Sequence, residues 1–115
     1  GAFILHPRIT IEASSTSDIT IHFEPLVGID QRVILLLNEY NPPQDRQTYA
    51  YTIEAPINNG IENDDLTTDS ITFDFPEELK KGLEYLVRVQ VDGAESLLEY
   101  DDDGQFRTPS VMINE

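Results

Sequence analysis

The sequence predicts an all-β Greek-key sandwich of about seven or eight antiparallel strands, and three observations lead there. Short runs alternate apolar and polar residues with a period of two, as in Ile19-Thr20-Ile21-His22-Phe23-Glu24. Turn residues separate the runs at short intervals, among them Ser14-Ser15-Thr16-Ser17-Asp18, Asn41-Pro42-Pro43 and Asp92-Gly93. No stretch reads as a helix of real length. The strands must therefore be joined by loops, which excludes a parallel sheet built from helical crossovers.

Taken in order, Ile9 and Ile11 mark a first strand, and Ile19, Ile21 and Phe23 mark a second, which Pro25 and Gly28 are expected to break. Residues 33–37, Val-Ile-Leu-Leu-Leu, do not alternate. They read as a central strand covered on both sides, as one facing a partner, or as a sandwich strand with one weakly exposed apolar face. Tyr49, Tyr51 and Ile53 form the next strand, stopped by Pro56, and residues 57–69 form a long polar loop. Ile71, Phe73 and Phe75 follow; residues 76–82 are expected to make one short helical turn with Gly82 as its stop. Tyr85, Val87, Val89 and Val91 alternate up to Asp92-Gly93, a type I′ hairpin signal, after which residues 94–100 are expected to return as a strand. Residues 101–104 are a loop, and 109–113 a last edge strand, where Pro is tolerated.

The spacing of Leu79, Gly82 and Tyr85 predicts a structural corner. The Tyr85 hydroxyl would bond back to the backbone near residues 79–82 and pin the turn.

At 115 residues the chain is one domain, 1–115, long enough for one core. It opens Gly-Ala-Phe-Ile-Leu without an initiator Met, which reads as a piece excised from a longer protein. No apolar run is long enough to span a membrane as a helix, and no signal peptide is visible. The absence of Cys excludes disulfides, Cys-ligated zinc and a thiol nucleophile, and leans toward a reducing compartment. A net charge of −15 repels nucleic acid and anionic lipid and favours cations or a basic partner. Of the 22 acidic residues, 15 fall between Glu54 and Asp103, so the charge is concentrated in the second half.

Clustered carboxylates make Asp101 and Asp103, and Asp64 and Asp65, the candidates for calcium, which takes several oxygen ligands at close range. Neither EF-hand register works. Counting from Asp101 puts Met112 at position 12, and counting from Glu99 puts Ser110 there. A solvated acidic turn is the competing reading. Acid–base catalysis by paired carboxyls needs one raised pKa, which exposed loops do not supply. His6 and His22 are far apart in sequence, and neither a Gly-x-Ser-x-Gly elbow nor a phosphate-binding glycine loop is present. No catalytic residue, cofactor, metal centre or small-molecule substrate is therefore expected. Tyr40, Tyr49, Tyr51, Phe3 and Phe106 form either a contact patch or part of the core, and without Trp a sugar-stacking platform is disfavoured.

Leu79-x-x-Gly82-x-x-Tyr85-x-Val87-Arg88-Val89 resembles the E–F segment of fibronectin-type-III and related immunoglobulin-like domains. With no Cys pair and no Trp, an antibody-type domain is excluded. A narrower resemblance spans most of residues 26–113. Gln31-Arg32-Val33-Ile34-Leu35-Leu36-Leu37-Asn38-Glu39, Ile71-Thr72-Phe73, the run from Tyr85 through Val91-Asp92-Gly93-Ala94-Glu95-Ser96-Leu97-Leu98, Gly104-Gln105-Phe106 and Pro109-Ser110-Val111 are similar in order to the C-terminal Ig-like domain of cap, or tail-terminator, proteins of phage-tail-like contractile injection systems. That pattern usually carries Pro at or beside Leu98. The resemblance implies a non-enzymatic accessory module that contacts protein subunits of a larger particle in the cytoplasm. The alternative expectation is a bacterial cell-surface or adhesin-type Ig-like module, calcium-stabilised and extracellular.

Overall fold

A computed structural model describes residues 6–100 and 106–115, with backbone alone at 100 and 106–108. The period-two runs become strands because alternation places one apolar row against the core and one polar row in solvent. They are β1 (Arg8–Ser14), β2 (Asp18–Gly28), β3 (Val33–Glu39), β4 (Ala50–Glu54), β5 (Thr67–Asp74), β6 (Leu83–Val91), β7 (Ala94–Glu95), β8 (Glu99–Tyr100), β9 (Phe106–Thr108) and β10 (Ser110–Ile113).

Eight of these strands build two antiparallel sheets packed face to face. One is ordered β1-β2-β5; the other is ordered β10-β6-β3-β4, with β7 pairing β6. Strands β8 and β9 form a separate two-stranded ladder. After the β1–β2 hairpin the chain crosses to β3 and β4, returns to lay β5 beside β2, and crosses again to lay β6 beside β3. This is the predicted Greek-key sandwich. Its core is made by inward rows: Ile19, Ile21 and Phe23 of β2, Ile71 and Phe73 of β5, Val33, Leu35 and Leu37 of β3, and Tyr85, Val87 and Val89 of β6. Each such side chain contributes roughly 1.5–3 kcal/mol by leaving water.

Four expectations about the chain path are refined. Pro25 does not end the second strand. β2 runs to Gly28, and its register with β5 skips from His22↔Ser70 to Val27↔Thr68. The cis Glu24–Pro25 bond falls in that skip, where a residue without an N–H breaks no ladder bond. Residues 76–82 make a turn and no helix: Leu79 N–H donates to the Pro76 carbonyl at 3.1 Å, and the pattern stops there. Residues 94–100 are not one strand. The buried Ser96 hydroxyl accepts Val89 N–H at 2.9 Å, so a side chain takes the place of the next ladder carbonyl. Finally, β3 is the central strand, with Val33, Leu35 and Leu37 buried and Ile34 and Leu36 half-buried on the outer face.

The sandwich has two poles. One carries the turns at 15–17, 40–49 and 75–82; the other carries the loops at 29–32 and 55–66 and the 92–93 turn.

Candidate interaction surfaces

The corner at 79–82 is held by two tyrosines. Tyr85, fully buried, donates its hydroxyl to the Lys80 carbonyl. Tyr51 accepts from Lys80 N–H at 2.8 Å and donates to the Glu78 carbonyl at 3.3 Å. The two rings meet edge to face, 6.0 Å apart and inclined by 66°. Leu79 is buried beneath the turn. Gly82 has φ +85°, where an L side chain is strained, and its N–H donates to the Ile113 carbonyl at 2.6 Å. Burial pushes the Tyr85 hydroxyl above its ordinary range, so it stays protonated as a donor. This is a clamp on the backbone with no reactive character. Tyr49 also packs against the core cluster, Tyr40 is half-buried, and Phe3 and the Phe106 side chain lie outside the described residues.

At the same pole Glu39, 6 % exposed, receives both guanidinium nitrogens of Arg46 at 2.7 and 2.6 Å, and Tyr49 N–H at 3.2 Å. Arg46 in turn lies 4.6 Å from the centre of the Tyr49 ring. The Arg46 guanidinium holds the Glu39 carboxyl below its usual range, against the opposing effect of burial. At the other pole, Arg32 N–H and then the Gln31 amide hold Asp92 below its usual range. Both carboxyls bind protons more weakly in the fold than in the unfolded chain, where their ordinary values are 4.5 and 3.8. Their stabilisation is complete above about pH 5 and is lost as pH falls through the lowered folded-state values. Acidification also relieves the −15 self-repulsion, so the useful quantity is a difference between proteins. The melting midpoint of Arg46→Gln should lie several degrees below that of the parent chain at pH 7, and the gap should narrow by pH 3. A gap independent of pH would refute the ion pair's part in stability.

Asp64 and Asp65 do not form part of a metal centre among the described residues. Asp64 and Asp65 are exposed in a loop turn, with Asp65 N–H bonded to the Glu62 carbonyl at 3.2 Å. Asp101 and Asp103 lie outside the described residues. Among the described residues no group of three or more His, Asp or Glu side chains is arranged to hold a metal. His22, on the outer face of the three-stranded sheet, sits near Glu12, Glu24 and Asp69 at 3.4, 3.8 and 3.9 Å. His6 places Nδ1 2.9 Å from the Glu95 carbonyl, 89 residues away in sequence. The polar partners of the two histidines differ.

Residues 33–37 do not present an open apolar patch. On the outer face Arg88 pairs across from Leu36 in the ladder, bonds Asn38 Oδ1 at 2.8 Å and lies 3.6 Å from Glu95. Its stem and the neighbouring polar residues leave Ile34, Leu36 and Leu86 only half exposed.

The loop pole is different, and its organisation was not visible in the sequence. Asn59 is buried, and its side-chain amide donates to the Gly28 and Gln31 carbonyls at 3.0 and 2.9 Å. Gln31 closes its own loop by accepting Gly28 N–H at 2.8 Å, and its amide reaches Asp92 at 3.1 Å. Asp92 also receives Arg32 N–H at 2.9 Å and returns its own N–H to the Arg32 carbonyl at 2.8 Å. Ile29 N–H binds the Leu66 carbonyl at 2.9 Å. Three loops distant in sequence are thus cross-braced through residues 28–32. Asn58, Asn59, Asn63 and Asp64 all have φ between 55° and 65°, a sparsely populated conformation for residues with a side chain. Such strain persists where surrounding bonds over-determine the backbone, and it concentrates at functional sites. The platform presents Ile57, 88 % exposed, and Leu66, 72 % exposed, to solvent. A shallow recess of about 290 Å³ opens beside them, lined by Ile29, Arg32, Glu54, Pro56 and Asn58 among others. The Asn58-Asn59-Gly60 run was the legible trace of this, since Asn and Gly tolerate positive φ.

Residues 3–112 match a family described as a domain of unknown function, DUF8756. The chain belongs to that family. The match covers the whole sandwich except the last residue of β10, so the loop platform and the tyrosine clamp both fall inside the DUF8756 region. No curated protein and no solved structure matches the chain.

Proposed function

We propose that this domain is a non-enzymatic docking module of a larger protein assembly, and that the loop pole is its working end. The observation that carries this reading is the cross-braced platform holding Ile57 and Leu66 in solvent. Large apolar side chains gain free energy by leaving water, and rigid loops on a sandwich present them to a partner with little ordering cost. The similarity of residues 26–113 to the appended Ig-like domain of contractile injection system cap proteins supports a particle of that class, with its protein subunits as partners and the cytoplasm as its place of assembly. The strand order, with β1-β2-β5 facing β10-β6-β3-β4, supports the Ig-like reading of the sandwich.

Deleting the domain from its parent protein should reduce the yield or stability of assembled particles; normal sheath-terminated particles would refute the role. A calcium-stabilised surface module makes the opposite demand on a simple melt. Binding to the native state raises the midpoint by mass action. The midpoint of this chain should be the same in millimolar calcium and in chelator, and a rise with calcium would favour the surface-module alternative.

A further inference from the structure

We propose that the loop pole docks onto a protein surface or loop in which lysine or arginine side chains ring an apolar recess. This rests on the docking reading above and specifies its partner. Ile57 and Leu66 are the two most exposed large apolar side chains among the described residues. Both belong to loops tethered to residues 28–32: the Ile57 turn through Asn59, and Leu66 through its own carbonyl. The same pole carries the exposed carboxylates of Glu62, Asp64 and Asp65 in the 55–66 loop, of Asp30 in the 29–32 loop and of Glu54 at the end of β4. Among the described residues of these loops the cation is Arg32, 3.9 Å from Glu54. The surface is thus apolar at two points and negative around them, and its complement is apolar at the centre and positive at the rim.

The charge also excludes other occupants. A second copy of this chain brings the same −15 and the same carboxylates to the contact. Nucleic acid and anionic bilayers are repelled for the same reason. Because residues 55–66 are already pinned by Asn59, little loop entropy is lost on docking, and the contact relies on the two apolar side chains for affinity and on the carboxylates for steering.

The test is a selection of random displayed peptides on the immobilised 115-residue chain, followed by titration of the selected peptides against variants. The peptides should combine Lys or Arg with aliphatic or aromatic residues, and their affinity should fall steeply with added salt. Ile57→Ser/Leu66→Ser should weaken them by at least about tenfold. Both side chains are exposed, so the variant's melting midpoint should be unchanged. Asp64→Asn/Asp65→Asn should weaken binding less and flatten its salt dependence. Thr52→Arg, on the outer face of the five-stranded sheet, should leave binding intact. Peptides that bind the Ile57→Ser/Leu66→Ser variant as well as the parent chain, or that are lost with Thr52→Arg, would overturn the pole as the docking surface and leave the docking-module reading standing. Acidic or salt-indifferent peptides that still need Ile57 and Leu66 would overturn the basic rim. Recovery of no binding peptide would count against both proposals.

Discussion

Tyr85→Ala is expected to cost about 3–5 kcal/mol, the range for emptying a buried aromatic site, against a total stability of about 5–15 kcal/mol for a domain of ordinary stability. The residue is completely buried between the sheets, and its hydroxyl holds the Lys80 carbonyl. Tyr85→Phe keeps the ring and removes the bond, so it should cost about 1–1.5 kcal/mol. Tyr51→Phe should cost a similar amount, because Tyr51 holds the same peptide turn from the Lys80 N–H side. The two single losses should not add. Once one hydroxyl is gone the turn is free to shift, and the second has less to hold. Urea unfolding at pH 7 checks all three; a Tyr85→Phe chain as stable as the parent would remove the clamp from the account.

The second large effect falls at the other pole. Asn59→Ala should cost about 2–4 kcal/mol, from two lost bonds to backbone carbonyls and an L side chain left at φ +55° without the amide that rewards it. Asn59→Gly loses the same bonds but relaxes the backbone, so it should lie roughly 1 kcal/mol above the alanine variant. Both should speed amide exchange across residues 57–66 while leaving β3 and β6 protected, since the loops rest on the sheets and not the reverse. Uniform loss of protection would mean that the pole is part of the global core.

The sheets and the corner were legible because their signals are local. Alternation within a strand decides which face is buried, and the corner's residues lie within a seven-residue span, from Leu79 to Tyr85. What escaped was made by bonds between distant residues. Tyr51 reaches Glu78 and Lys80 across 27 and 29 positions, and Asn59 reaches Gly28 and Gln31 across 31 and 28. Nothing in the neighbourhood of either residue announces those partners. The stretch 94–100 misled for a related reason, because a serine hydroxyl can substitute for a ladder carbonyl and end a strand that composition would continue. The segment 33–37 left three readings open, and the choice among them depended on Arg88, fifty residues away from its Asn38 partner.

The register of the outer strands also determines how the domain bears load. β1 begins beside Glu24 at the loop-pole end and runs toward the clamp, and β10 ends beside Leu83 at the clamp. Tension between residue 8 and residue 113 therefore acts along both strands, and every bond of the β1–β2 and β10–β6 ladders is strained together. Peeling a strand away would break those bonds singly and at low force; sliding it lengthwise requires them to yield at once. Along the strand direction the two outer ladders meet a pull in shear.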